Sequence, residues 1–329
     1  LVVEETEDKK YTRQILNKTI DDLPPGDILV EVHYSSLNYK DALSASGSRG
    51  VTRSYPHTPG IDAAGVVVES TDGAFQHGDD VIVTSYEVGM NTAGGFGQYI
   101  RVPGQWVVPL PNGLTLREAM CYGTAGFTAA LSVYQLRVHG GILPEHGEVL
   151  VSGATGGVGS IAVAILSKLG YTVVAVNGLV DESEYLKEIG AQRIISIEEA
   201  TDQSGRPLLK SLWAGSIDTV GGDILATSIK SVNANGVVTT CGNVASPELP
   251  INVYPFILRG VSLVGIDSQN CPMPNRLKTW EKLADEWKIP MMETVVEEIT
   301  LADLDQAIDR MLHGKHKGRA IVNMRAERE

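Results

Sequence analysis

The sequence predicts an α/β protein: a doubly wound parallel sheet joined to a separate β-rich domain. Three observations carry that expectation. From Glu148 onward, short β-branched runs alternate with helix-length segments, the signature of successive βα units. Before about residue 118 the chain reads instead as strand after strand, punctuated by Gly, Pro and Asp turns. The length of 329 residues exceeds the common single-domain size, so two domains are expected. Their expected extents are 1–118 with 269–329 for the β-rich domain and 119–268 for the parallel sheet.

In chain order, Asp27 to His33 alternates like a strand after the turn Pro24-Pro25-Gly26, and Ala64 to Glu69 and Asp80 to Ser85 repeat the pattern. Strand-like pieces follow at Gly97 to Val102 and Trp106 to Pro109. Thr115 opens a helix, because a Thr three residues before Glu118 forms a capping box. Helical character resumes at Gly126 to Val133. The parallel sheet takes Val149 to Val151, Thr172 to Val176, Arg193 to Ile197, Ser216 to Val220, Gly236 to Cys241 and Val261 to Ile266. An amphipathic helix over Arg276 to Lys288, a helix over Leu301 to Leu312 and a terminal strand over Arg319 to Met324 return to the first domain.

Composition excludes several classes. Lys and Arg number 27 against 40 Asp and Glu, a net charge of −13, which argues against nucleic acid or an anionic membrane as partner. No run approaches the ~18 apolar residues of a membrane span. Three cysteines without C-x-x-C spacing are too few for a disulfide framework or a four-cysteine zinc site, so a reducing cytoplasm is expected. No hydrolase or P-loop string occurs.

The informative stretch is Ser152 to Gly159, with four glycines in eight residues between a strand and a helix. Glycine there permits positive φ and close approach of backbone to a ligand, and the N–H groups opening the next helix suit a diphosphate. The dinucleotide fingerprint G-x-G-x-x-G is met with Ala154 in its first position and Gly156 and Gly159 in the others. Thr155, Gly157 and Val158 complete the loop. The following strand completes the βαβ unit and ends in Asn177-Gly178-Leu179, where an NAD site usually places an acid for the ribose. That absence points to NADPH, with Arg193 or Lys187 as a cation for the 2′-phosphate.

Seven strings together resemble the medium-chain dehydrogenase/reductase superfamily: SSLNYKDAL (35–43), PGIDAAGVV (59–67), GTAGFTAAL (123–131), SGATGGVGS (152–160), IDTVGG (217–222), PFILRGVSLVGIDS (255–268) and KGRAIV (317–322). Within it the chain resembles the zinc-independent quinone-oxidoreductase-like branch that includes NADPH-dependent acryloyl-CoA reductases. The resemblance implies a GroES-like catalytic domain and a Rossmann domain. At the positions of the zinc enzymes' ligands stand Asn38, Ile61 and Cys121, which cannot supply about three metal ligands, so no zinc is expected. It further implies cofactor contacts at Tyr39, Thr128, Asn243, Val244, Ile257, Ser268 and Arg319. Ile257 also reads as a core residue, and Arg319 as a strand cap.

Without a Lewis acid, the expected reaction is hydride addition to an activated alkene, an enone or acyl-CoA thioester, with charge developing on the carbonyl oxygen. Tyr39 and Asn38 are candidate donors, and Asp41 is expected to orient its neighbours. Quinone reduction is an alternative within the class, and a non-catalytic NADPH-binding sensor or structural protein is one outside it. A homodimer through the Val261 to Ile266 edge strand is expected.

Overall fold

The computed structural model describes residues 1–178, 182–290 and 292–326. The chain divides into two compact units: Leu1–Thr124, Gln269–Ala284 and Val296–Glu329 form the first, and Ala125–Ser268 with Asp285–Val295 form the second. Asp285–Val295, expected with the β-rich part, thus belongs to the parallel-sheet unit.

The first unit begins with an antiparallel hairpin, β1 (Val2–Glu5) and β2 (Tyr11–Gln14), whose charged turn gave no strand signal in the sequence. Strand β3 (Ile28–Leu37) leads into helix α1 (Tyr39–Ala45), followed by β4 (Asp62–Ser70), β5 (Asp80–Thr84), β6 (Tyr99–Val102) and β7 (Val107–Pro109). Helix α2 (Leu116–Tyr134) starts with the expected capping box: Thr115 N donates to Glu118 Oε2 at 2.9 Å and Glu118 N to Thr115 Oγ1 at 3.1 Å. Gly123, at φ 52° and ψ −155°, interrupts it, which is why helical character lapses and resumes in the sequence.

The second unit continues through β8 (Val149–Val151), α3 (Gly157–Lys168), β9 (Val173–Asn177), α4 (Ser183–Glu188), β10 (Arg193–Ser196), β11 (Trp213–Asp218), α5 (Gly222–Ser231), β12 (Val232–Thr240), α6 (Tyr254–Arg259) and β13 (Ser262–Gly265). The first unit is completed by α7 (Met273–Ala284), β14 (Val296–Thr300), α9 (Leu304–Leu312) and β15 (Arg319–Asn323), while the short α8 (Met292–Val295) belongs to the second unit. Helix α7 stops at Ala284, so the amphipathic stretch expected through Lys288 is cut before Trp287.

The first unit's sheet runs β14-β15-β3-β4-β5-β7, with β6 also paired to β3. Alternating residues of β3 and β4, such as Val30, Val32 and Val67, join Phe96, Leu304 and Ile308 in its core. The second unit's six strands run β10-β9-β8-β11-β12-β13, all parallel. Renumbered from β8, that order is 3-2-1-4-5-6, the doubly wound dinucleotide-binding arrangement. Its switch point lies between β8 and β11, and a ligand is accepted beyond the carboxyl ends of those strands.

Candidate functional site

At the switch point, backbone geometry does most of the work. Ser152 closes β8 onto β11: its N–H donates to Ile217 O at 3.0 Å and its hydroxyl to Asp218 Oδ1 at 2.7 Å. Asp218 Oδ2 accepts from Gly221 N at 2.9 Å and Thr240 Oγ1 at 3.1 Å, so one buried carboxylate ties the ends of three strands together. Burial holds its pKa above the ordinary carboxylate range. Burial, reinforced by Asp218, pushes the Cys241 thiol up to about 12, which leaves it unreactive as a nucleophile.

Above this clasp sits the glycine loop. Gly153 has φ +58°, and a Cβ there would lie 2.2 Å from Thr219 Oγ1. A Cβ on Gly159 would lie 2.2 Å from Gly153 O, so α3 can approach the strand only with glycine at that place. Gly156 caps α3, its own N–H spent on Gly153 O at 3.0 Å. The first-turn N–H groups of Gly157, Val158 and Gly159 have no intrahelical acceptor and carry the positive end of the helix dipole. This cradle fits a diphosphate. Ala154 is fully buried and does not take a positive φ, which falls on Gly153 instead, so the first glycine position of the fingerprint accepts a Cβ here. Thr155 is half-buried at its crest.

The remaining expected contacts of the second unit fall as follows. Asn177 and Gly178 end β9, beside a cavity of about 390 Å³ that Ser196 and Ile197 also line. Leu179 lies outside the described residues. Asn243 and Val244 are exposed in the loop after β12, which is tied to the turn following β11 through Ala245 N to Val220 O at 2.9 Å. Thr128 is buried in the second half of α2, and Ser268 is half-buried after β13. Ile257 is 66% exposed on α6, so its reading as a core residue is overturned. Arg193 requires a correction as well. It opens β10, at the amino end of a parallel strand and away from the carboxyl edge where Asn177 lies. There it grips Glu148 with Nε to Oε1 at 3.0 Å and Nη2 to Oε2 at 2.6 Å, and covers the Trp213 ring at 5.3 Å. Lys187 is engaged by Glu184 at 2.7 Å.

The first unit holds a different kind of site. Asp62, fully buried at the start of β4, accepts four hydrogen bonds: Ser36 Oγ at 2.6 Å, Asn38 Nδ2 at 2.8 Å, Thr124 N at 2.9 Å and Thr124 Oγ1 at 2.6 Å. Arg319, from β15, donates to Ser36 Oγ at 2.7 Å, Asn38 Oδ1 at 3.1 Å, Leu37 O at 3.2 Å and Cys121 O at 3.3 Å, with its guanidinium 3.9 Å from Asp62. A Cβ on Gly123 would strike Asp62, Ser36 and Arg319 within 2.7 Å, so glycine at that position keeps the cluster closed.

Asp41 sits beside it, accepting from Gly60 N at 3.1 Å, Ile61 N at 2.8 Å and Asn38 N at 2.9 Å. Burial, with the like charge of Asp62, pushes Asp41 up to about 7 against the pull of those N–H donors. One carboxylate thus fixes both the start of α1 and the turn before β4.

Two expectations change here. Asn38, expected as a free donor, is only 9% exposed and has both ends of its amide engaged, Nδ2 on Asp62 and Oδ1 on Arg319. Arg319, expected as a cofactor contact, is 2% exposed and spends its donors on protein acceptors. Both hold the framework. Tyr39 differs: as the first residue of α1 it is 44% exposed, and its hydroxyl makes no hydrogen bond among the described residues. Ser36, Asp62 and Thr124 were not singled out from the sequence. The available signal was an acid opening the otherwise apolar run Asp62-Ala63-Ala64-Gly65-Val66-Val67-Val68. His57, buried with Nε2 2.8 Å from Gly89 O, is structural. Cys121 is fully buried.

Comparison with known proteins agrees with this geometry. Residues 24–112 match the family model of the alcohol dehydrogenase GroES-like domain, and residues 157–286 that of zinc-binding dehydrogenases. The chain is 48% identical to a Bacillus subtilis protein named as a quinone oxidoreductase, YhfP, across 93% of this chain and 94% of that one. It is 43% identical to the acrylyl-CoA reductase AcuI of Ruegeria pomeroyi, across 99% of each. Among solved structures, the yhdH oxidoreductase of Salmonella enterica in complex with NADP superposes with a TM-score of 0.95 at 44% identity, over 98% of this chain and 99% of that one. Bacillus subtilis yhfP with NAD bound gives 0.96 at 45% identity, over 98% of each.

Proposed function

Because the chain belongs to the medium-chain dehydrogenase/reductase superfamily, in its zinc-independent quinone-oxidoreductase-like branch, we propose that it reduces the C=C bond of an α,β-unsaturated carbonyl compound or thioester, acryloyl-CoA foremost, using NADPH. The observation that carries this reading is the saturation of Asp62. The positions that hold zinc in metal-dependent relatives carry Asn38, Ile61 and Cys121, and both nearby carboxylates are occupied by donors of the chain itself, Asp62 by four and Asp41 by the N–H groups of Asn38, Gly60 and Ile61. These residues offer no ligand set for a Lewis acid, so an isolated carbonyl is poorly served, whereas a conjugated alkene can accept hydride at its β-carbon.

When bound, the reduced nicotinamide supplies that hydride. The loop N–H groups of Gly157, Val158 and Gly159 would hold the diphosphate. Tyr39 is the candidate hydrogen-bond donor to the carbonyl oxygen and proton source for the α-carbon, because its phenol is exposed and uncommitted. Asn38, Asp41 and Arg319 act through it, by fixing the start of α1.

A substrate panel of acryloyl-CoA, simple enones and quinones, followed by NADPH loss, tests the reading. Acryloyl-CoA turnover well above quinone turnover is expected, and Tyr39→Phe should lower kcat by about 10²-fold. Quinone turnover dominating the panel would replace the alkene mechanism with the second reading, which the name of the 48% identical relative favours. Tight NADPH binding without hydride loss, unaffected by Tyr39→Phe, would make the protein a binder.

The reading includes a homodimer and a cytoplasmic location. Strand β13 ends the sheet, and Val253, Tyr254, Ile257 and Leu258 beside it are between 45% and 66% exposed, an apolar face suited to a second copy. Sedimentation at micromolar concentration tests it, and a monomer would refute it. No helix among the described residues is long and apolar enough to cross a membrane.

A further inference from the structure

A cavity of about 440 Å³ lies within the first unit and shares no lining residue with Tyr39 or with the Asp62 cluster. Its size falls in the range that takes a small molecule. Part of its lining comes from the segment that joins β2 to the 3₁₀ turn Ile20–Asp22, and part from the buried side chains of Val2 and Phe96. On that segment Ile15, Leu16 and Ile20 are 51%, 42% and 39% exposed, and all three line the cavity. Three large aliphatic groups within six residues thus remain in contact with water, and a guest with an apolar body would cover them. Lys18 is the one basic side chain of the lining and makes no ion pair among the described residues. Burial lowers the pKa of His57 against the hydrogen bond it makes with Gly89 O, and the Lys18 charge lowers it further, so that charge is felt at the buried neighbour of the lining residue Thr58. Asp22, the one acid of the lining, is taken up locally, its Oδ2 accepting from Thr19 N at 2.8 Å and Thr19 Oγ1 at 3.1 Å.

We propose that this cavity is a binding site for a medium-length aliphatic monocarboxylate, with its chain against Ile15, Leu16, Ile20 and Phe96 and its carboxylate on the Lys18 ammonium. Each part of that guest answers a feature of the lining. The alkyl chain removes the three exposed aliphatic side chains from water. The carboxylate gives Lys18 a charge-assisted hydrogen bond, the stronger kind, which a neutral guest cannot supply. A dianion would find only one basic side chain to answer two charges, and an alkylammonium would meet Lys18 as a like charge. The cradle for the dinucleotide belongs to the other unit, so the proposal stands whichever alkene or quinone the enzyme reduces.

Calorimetric titration of the wild-type protein with butanoate, hexanoate, octanoate and octan-1-ol tests it. Each CH₂ added between butanoate and hexanoate should tighten binding about fourfold, and octanoate should bind about tenfold more tightly than octan-1-ol. Lys18→Gln should bring octanoate down to the affinity of octan-1-ol while leaving octan-1-ol itself unchanged. Absence of octanoate binding, an affinity that does not grow with chain length, or octanoate binding equally well to wild type and Lys18→Gln would each overturn the inference. Where the variant does not accumulate, the wild-type protein decides, since equal affinities for octanoate and octan-1-ol would remove Lys18 from the site.

Discussion

The loop after β8 and the cluster around Asp62 reach a defined geometry by opposite means. In the loop, eight consecutive residues supply nearly everything: glycines at 153, 156, 157 and 159 and the N–H groups that open α3. In the cluster, each contributor arrives from a different element, Ser36 from β3, Asn38 from the start of α1, Asp62 from β4, Thr124 from the break in α2 and Arg319 from β15. One is made mainly of backbone and tolerates no side chain at Gly153 or Gly159; the other is made of side chains brought from separate elements.

Substitutions can break the contrast, beginning with the largest effect. Gly159→Val would place a branched side chain into Gly153 O, where even a Cβ comes to 2.2 Å. Loss of dinucleotide binding by more than about a hundredfold is expected, with destabilisation of about 2–4 kcal/mol, read by titration and urea unfolding. Retention of binding would mean that the loop is not the diphosphate cradle. Asp62→Leu would leave the fully buried guanidinium of Arg319 without its nearest anion, so unfolding should cost about 3–5 kcal/mol less, with dinucleotide binding to the second unit little changed. An unaltered denaturation midpoint would sink the cluster as a framework element.

Asp41 gives a pH signature. Its folded pKa of about 7 lies above the ordinary 3.8, so the native state binds the extra proton between those values. Its contribution to stability is therefore fully present below about pH 4 and is lost as the pH rises through 7. Between pH 5 and 8 the wild-type protein should lose stability relative to Asp41→Asn, a slope measurable by chemical denaturation at several pH values. A parallel response of the two proteins would refute the assignment. Arg193→Gln is the smallest expected change. Its pair with Glu148 is solvent-exposed, so about 0.5 kcal/mol of stability is at stake, and NADPH affinity should not move. A weakened affinity would return Arg193 to the cofactor site.

The same contrast explains what could be read before the structure. The glycine loop, the six parallel strands and the Thr115–Glu118 cap depend on neighbours in sequence, and each is present, although β11 (Trp213–Asp218) and β12 (Val232–Thr240) start earlier than the expected Ser216 and Gly236. The hairpin β1–β2 was missed because its turn is a run of charges, and strand β14 because Val296–Thr300 mixes acids with β-branched residues. Arg193 was expected, with Lys187 as the alternative, to supply a cation for the 2′-phosphate. Only strand direction reveals that it stands at the wrong end. Asn38 and Arg319 looked like site residues and are instead each other's hydrogen-bond partners.

By itself the sequence determined the two-part α/β architecture and the dinucleotide cradle, because each follows from residue type at short spacing. Tertiary structure alone decided which polar residues are spent on one another and which remain available. Asp62, Arg319 and Asn38 carry no mark in the chain to say that they converge, and a buried charge must find its partners wherever the fold brings them. Tyr39 stays uncommitted for the same reason, since the fold leaves it exposed while closing its neighbours in.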